Sequence, residues 1–136
     1  MNYLAVLVAA IASMAVGMVW YSPAAFGTAW LKALGWDEKQ LKKEKKKQQN
    51  MVKTLGITFV CMLITSYVLS VALSYWQNPT VGVAAQVAFW LWLGFIATAQ
   101  LPVYLFERRS LKLFAINAAH QLVYLLVTAL VLAAWL

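Results

Sequence analysis

The sequence predicts an all-α protein that crosses a membrane with a bundle of four helices. Apolar residues make up 64% of the chain and charged residues only 11%, whereas an ordinary soluble domain has about 25% charged residues. All eleven lysines and arginines, and all four acidic residues, lie in two short stretches, 32–53 and 107–112. A soluble domain spreads charge over its whole surface, so the long uncharged segments between these stretches indicate transmembrane helices.

Four apolar segments are long enough to cross the hydrocarbon core, which takes about 20 helical residues. Helices are expected because lipid offers no partner for unpaired backbone groups. No basic region precedes the first segment, so we interpret it as a retained helix and not as a signal peptide. We expect one membrane domain over residues 1–136, with spans at about Tyr3–Trp20, Thr54–Trp76, Val83–Phe106 and Leu111–Leu136.

The charged stretches also predict the orientation of the chain. Basic loops stay on the cytoplasmic side of a membrane, so residues 21–53 should form a cytoplasmic loop and both termini should lie outside. The formal net charge is +7, and the expected partners of the basic loop are anionic lipid headgroups. Nucleic acid is not an expected partner, because nothing resembles a reading helix or an aromatic–basic sheet.

The first part of this loop is predicted to form a short helix. Ser22 can cap a helix that begins at Pro23, and Gly35 can end it. Phe26 and Trp30 lie four residues apart and give the helix an apolar face. This pattern is typical of a helix that lies in the membrane interface.

The second part of the loop is predicted to form a lysine-rich helical extension. Asp37 with Gln40 resembles a capping box, and the residues from Glu38 to about Asn50 have almost no apolar face. We interpret the lysines as a solvated face and an orientation signal. A specific site for anionic lipid or for a protein partner is the alternative.

The fourth span carries the most polar face within the membrane. Asn117, Gln121 and Tyr124 follow one another at helical spacing, with His120 beside them. A rise of about 1.5 Å per residue places Gln100 of the third span at the depth of Asn117, so these two can hydrogen-bond. Two interpretations stay open: a polar path or ligand site with His120 as its titratable member, or hydrogen bonds that only hold helices together.

The first span also has a regular pattern of small residues. Ala5, Ala9, Ser13 and Gly17 recur every four residues in the first span, and small residues at this spacing let two helices approach closely in lipid. They can pack within one chain or between chains, and we expect a homo-oligomer because four short helices bury little by themselves.

Glu107, Arg108 and Arg109 end the third span at its cytoplasmic edge. We interpret them as an interface anchor. The alternative is an ion pair that locks the hairpin of spans three and four to the first loop. No acidic residue lies within a span, which argues against an exporter that exchanges its substrate for protons on a membrane carboxylate.

Three segments together resemble a family of small bacterial membrane proteins that is catalogued as domain of unknown function 1761. The resemblance implies a four-helix fold in the bacterial cytoplasmic membrane, and it supplies no reaction, substrate or cofactor. The segments are Trp20-Tyr21-Ser22-Pro23 with Phe26-Gly27 and Trp30, then Gly94-Phe95-Ile96-Ala97, then Leu105-Phe106-Glu107-Arg108-Arg109 with Phe114 and Asn117.

The first of these segments also has a physical interpretation. Pro23 would end the first span, and Gly27 would permit the close approach of another helix. Trp20, Phe26 and Trp30 would pack the interfacial helix against the bundle at headgroup level.

The functional expectation is a non-enzymatic, oligomeric membrane protein with a small channel-like or transporter-like role. Its polar interior would be lined by the face that Gln100, Asn117, His120, Gln121 and Tyr124 form. The alternative is an accessory or scaffold subunit that docks through the small residues of span one and the basic loop. No metal-ligand set, phosphate-binding glycine loop or nucleophile beside a base is recognisable, so the sequence predicts no catalytic residue, cofactor or metal.

Overall fold

The computed structural model describes residues 2–22, 24–35, 51–77 and 79–135, and these residues form five helices and no strand. Four of the helices are long and apolar enough to cross a membrane, which confirms the predicted all-α architecture. Pro23 and the predicted lysine-rich extension lie outside the described residues. The helices are α1 (Tyr3–Trp20), α2 (Gly27–Leu34), α3 (Met51–Ser74), α4 (Val81–Phe106) and α5 (Leu111–Trp135).

Two of the long helices begin slightly earlier than their apolar segments suggest. α4 begins at Val81 because the hydroxyl of Thr80 caps it and accepts the N–H of Val83 at 3.2 Å. α3 begins at Met51 and therefore includes Lys53. A helix tolerates lysine at the membrane edge because the long side chain can reach the headgroups.

The short helix α2 begins at Gly27, and the prediction of a start at Pro23 with Ser22 as its cap is wrong. The hydroxyl of Ser22 donates to the carbonyl of Val19 at 2.7 Å and so closes the end of α1. The Ser22 carbonyl accepts the N–H of Gly27 at 2.9 Å, which keeps the preceding residues in turns. Gly35 ends α2 as predicted, with a φ of 76° that suits glycine.

A π-helical turn at Leu93–Ala97 interrupts α4. Such a turn holds one residue more than an α-helical turn, so it rotates the following residues about the helix axis. The two halves of α4 therefore present different faces from those that a continuous α-helix would give.

The four long helices pack unevenly. α5 lies between α1 and α4, and α3 packs mainly on α1. The hydroxyl of Ser66 donates to the carbonyl of Val6 at 2.9 Å, and the hydroxyls of Ser13 and Thr128 lie 2.7 Å apart. Small and branched apolar residues fill the core in the half of the bundle that contains the chain termini: Ala5, Val6, Ala9, Leu69, Leu73, Ala84, Ala88, Leu125, Ala129, Leu132 and Ala133.

The other half of the bundle, which contains α2 and residues 107–112, is called the basic end here. The buried residues of α3, Ser66, Leu69 and Leu73, all lie far from this end, whereas residues 52–57 are all exposed. Only 11% to 33% of the residues in each span are buried inside the chain, so most of the apolar surface faces outward. The loose packing of α3 leaves a cleft between α1, α3 and α5.

Candidate functional site

A hydrogen-bond network ties three helices together at the basic end. The hydroxyl of Tyr21 donates to Oδ1 of Asn117 at 2.7 Å, and Nδ2 of Asn117 donates to the hydroxyl of Tyr104 at 2.9 Å. Burial, with the nearby phenols of Tyr104 and Tyr124, raises the pKa of Tyr21 to about 12. Tyr21 therefore stays a hydrogen-bond donor at physiological pH, and Asn117 acts as the link between α1 and α4.

The hydrogen bond that the sequence suggests between Gln100 and Asn117 does not form in the described part of the chain. Tyr104, four residues later on α4, takes the position of partner. Helical side chains lean toward the N-terminus of their own helix, so the long phenol of Tyr104 reaches back one turn, to the depth of Gln100. The partner of Asn117 thus depends on the reach of a side chain as well as on the depth of the backbone.

The residues of the first sequence segment pack around the junction of α1 and α2. The ring of Trp20 lies 4.4 Å from that of Phe26, and the ring of Tyr21 lies 5.1 Å from that of Trp30, measured between centroids. The indole N–H of Trp20 donates to the carbonyl of Ile116 at 3.1 Å. These contacts attach α2 and the end of α1 to α5.

At Gly27 the start of α2 packs very closely against the backbone that follows α1. A Cβ atom at this position would lie 2.5 Å from the carbonyl oxygen of Tyr21 and 2.7 Å from that of Ser22. Both atoms belong to the backbone, so neither can move away cheaply. The sequence interpretation placed another helix here, whereas the structure places the end of the turn that follows α1.

The cleft beside this junction contains the imidazole of His120. The cleft has a volume of about 250 Å³. The His120 ring is flanked by Tyr21 at 5.0 Å and by Tyr124 at 5.1 Å between centroids. The lining residues come from α1 and its end, from α3 and from α5: Ser13, Met14, Gly17, Met18, Tyr21, Leu55, Thr58, Met62 and His120.

The imidazole of His120 has an unsatisfied nitrogen. Its Nε2 is buried and has no hydrogen-bond partner among residues 2–22, 24–35, 51–77 and 79–135. Gly17 packs closely against this nitrogen, because a Cβ atom at position 17 would lie 3.2 Å from Nε2. A buried polar atom without a protein partner is rare and calls for an explanation, such as a bound ligand, ion or water.

The polar face of α5 divides into residues with partners and residues without them. Asn117 is held by two tyrosines, and the hydroxyl of Thr128 lies beside that of Ser13. Oε1 of Gln121, like Nε2 of His120, is buried and has no partner within the described residues. Interhelical hydrogen bonds therefore account for part of this face, and only His120 of the two remaining side chains lines the cleft.

The charged residues at the end of α4 form a local arrangement. A guanidinium nitrogen of Arg109 lies 3.7 Å from a carboxylate oxygen of Glu107, and both side chains are partly exposed. The guanidinium carbon of Arg109 lies 4.6 Å from the centre of the Tyr104 ring, which is a cation–π contact. Arg108 has a φ of 55° in the turn. The acidic residues of the first loop, Asp37, Glu38 and Glu44, lie outside the described residues, so the interface anchor and the ion pair to that loop both stay predictions.

Several residues of this site are absent from the sequence interpretation. Tyr104 is one, although a tyrosine in an apolar span signals a hydroxyl that needs a partner. Trp92 is another: its indole N–H donates to the carbonyl of Ala118 at 2.8 Å and attaches α4 to α5. Met14, Met18 and Met62 are further ones, since methionines in apolar spans look like ordinary core residues.

Replacing Asn117 by leucine is expected to destabilise the basic end by about 1–3 kcal/mol, because two buried phenols would lose their partner. Unfolding by SDS in mild detergent, followed by tryptophan fluorescence, measures this change. Tyr21→Phe provides the matched partner for a double-mutant cycle with an expected coupling of about 0.6–1.7 kcal/mol. If the two substitutions had strictly additive effects on the free energy of unfolding, the hydrogen bond between Tyr21 and Asn117 would not contribute to stability.

The comparisons with known proteins concern the family alone. The family described as "Protein of unknown function (DUF1761)" has a sequence model that matches residues 4–133, which confirms the resemblance found in the sequence. No curated protein and no solved structure matches the chain. In the described residues no three histidine, cysteine or acidic side chains come close enough to hold a metal ion.

Proposed function

The chain belongs to the DUF1761 family of unknown function, and we propose from its geometry that it is a non-enzymatic, transporter-like membrane protein with its substrate site in the cleft at His120. The unpartnered Nε2 of His120 carries this proposal. Unsatisfied polar atoms in an apolar bundle are costly, and binding a ligand would satisfy this one. The His120 side chain also lines the cleft, which provides space for such a ligand.

The shape of the cleft favours a transporter-like role over an open channel. It extends from Tyr21 and Leu55 at the basic end to Ser13, a depth of about 12 Å at the usual helical rise. Beyond Ser13 the hydroxyl contact with Thr128 and the buried core close the bundle. A site that lies in one half of the bundle and is closed toward the other half is the arrangement expected of an alternating-access protein.

The orientation follows from the charges. We place the basic end in the cytoplasm and both termini outside, in a bacterial inner membrane, because lysine and arginine are retained on the cytoplasmic side. Anionic headgroups would then contact the lysine-rich loop. The cleft would open toward the cytoplasmic half of the bilayer, and its substrate would enter from there.

The accessory-subunit alternative loses one of the two docking surfaces that the sequence suggested for it, the small-residue face of span one. Ala5, Ala9 and Ser13 are buried against the other helices of the same chain, and Gly17 faces His120. The small-residue face of α1 is thus already used. A homo-oligomer remains a prediction, and its interface would lie on other surfaces.

Water access to the cleft from each side of the membrane tests the proposal. Thr58 lines the cleft, and Thr58→Cys on a Cys61→Ser background introduces a single thiol in this position. In proteoliposomes of fixed orientation, a membrane-impermeant thiol reagent should modify this cysteine rapidly from the basic side. The reagent should also modify this cysteine slowly from the opposite side, because the cleft alternates between opening to one side and to the other.

Thr98→Cys is the matched control. Both threonines donate their hydroxyls to the carbonyl four residues earlier at 2.8 Å, but Thr98 is exposed on the outer surface of α4. A thiol in lipid does not ionise readily and should not react. Modification of Thr58→Cys from neither side, or from the basic side only, would rule out a transporter-like site.

A further inference from the structure

Three thioethers lie in the same cleft as the unpartnered imidazole. The chain contains five methionines, and Met14, Met18 and Met62 all line the cleft with His120. Met14 and Met18 are four residues apart on α1, so they project from one face of that helix. Met62 belongs to α3 and His120 to α5, and the four side chains therefore reach the cleft from three different helices.

This combination of donors has a known chemical preference. Methionine sulfur is a soft ligand that selects Cu(I), and imidazole nitrogen is also a good copper ligand. Hard divalent ions such as Mg²⁺ and Ca²⁺ require oxygen ligands, mainly carboxylates. No carboxylate is among the residues that line the cleft. The lining therefore suits a soft monovalent ion much better than a hard divalent one.

We infer that the cleft binds one Cu(I) ion through the thioethers of Met14, Met18 and Met62 and through Nε2 of His120. This inference rests on the proposed function, since it names the substrate class of the same site. All four ligands are neutral, so the bound site carries a single positive charge. A single charge costs less in an apolar environment than the charge of a divalent ion would.

The close approach of α1 to the imidazole supports this assignment. Gly17 lies between Met14 and Met18 in sequence, and a side chain at this position would come within 3.2 Å of Nε2. Glycine thus lets α1 pack close to the imidazole, on the face that also carries Met14 and Met18. The open packing of α3 at the basic end gives an entry path toward Met62.

Cu(I) binding to the purified full-length protein tests the inference. The protein, with Cys61→Ser to remove the exposed thiol, is titrated in detergent under reducing conditions against a chromophoric Cu(I) chelator. We expect one Cu(I) per chain. X-ray absorption at the copper edge should show a first shell of about three sulfurs and one nitrogen.

Substitutions that replace each donor by an apolar side chain of similar shape distinguish a ligand set from general packing. Met14→Leu, Met62→Leu and His120→Phe should each weaken Cu(I) binding by at least about tenfold, since even an outer-shell partner of a metal is worth that much. Ile64→Leu, on the exposed flank of α3 two residues from Met62, is the matched control and should bind as the parent does. Gel filtration of every variant verifies that the fold is retained.

The possible failures separate the two proposals. No Cu(I) retained in the Cys61→Ser protein, or retention unchanged in folded Met62→Leu and His120→Phe variants, would overturn the copper assignment. The accessibility of Thr58→Cys is measured without copper. If the thiol reagent modified Thr58→Cys from both sides of the membrane while copper binding failed, the transporter-like function would stand with a different substrate.

Discussion

Replacing Gly27 by alanine is expected to detach α2 from the rest of the protein. The added Cβ would lie 2.5 Å from the carbonyl oxygen of Tyr21, and backbone atoms at such a distance must move apart. Overpacking of this kind costs about 1–3 kcal/mol. The movement would also weaken the ring contacts Trp20–Phe26 and Tyr21–Trp30, each worth about 0.5–1.5 kcal/mol.

SDS-driven unfolding and near-ultraviolet circular dichroism measure this effect, because the rings of the junction contribute to the aromatic signal. Gly56→Ala is the matched control. A Cβ at Gly56 would meet nothing within 4 Å, and alanine favours a helix more than glycine does by about 1 kcal/mol. The control should therefore be neutral or slightly stabilising. A Gly27→Ala protein with the parental stability and aromatic spectrum would show that the junction does not have this close packing.

The helices were predictable because charge and hydropathy fix them before any packing is considered. Lipid excludes both charged side chains and unpaired backbone groups, so the two charged stretches of the sequence mark where spans must end. The junction was only partly predictable. Ser22 has the chemistry of a helix cap, but a hydroxyl can equally bond to the preceding turn, and here it bonds to Val19.

The site was less predictable, for a different physical reason. Periodicity shows which residues share a face of one helix, but it does not show which neighbour that face meets. Asn117 was recognised as a polar group that needs a partner, yet its partners Tyr21 and Tyr104 depend on packing. The π-helical turn at Leu93–Ala97 rotates the second half of α4 about the helix axis. The types of these five residues give no signal that predicts such a turn.

The methionines of the cleft show the same limit most clearly. Met14 and Met62 are far apart in sequence and look like ordinary apolar residues of two different spans. Only the arrangement of α1, α3 and α5 brings them to the cleft that His120 also lines. A sequence search for metal ligands looks for histidine, cysteine and acidic clusters, so it passes over thioethers that converge from three helices.

Replacing Ala9 by leucine is expected to destabilise the bundle strongly. Ala9 is completely buried in a core that also contains Leu69 of α3 and Ala129 of α5. In lipid, helices associate through close packing rather than through the exclusion of water, and small residues permit that approach. A leucine side chain would force α1 away from its neighbours, at a cost of about 1–3 kcal/mol or more.

Ala15→Leu on the exposed side of the same helix makes the identical chemical change and should alter the free energy of unfolding by less than about 0.5 kcal/mol. The comparison also decides how the small-residue face of α1 is used. If the face served contacts between chains, Ala9→Leu would change the oligomeric state in detergent and leave the unfolding of each chain unaltered. Because Ala9 packs within the chain, we expect the opposite: a lower stability with no change in assembly.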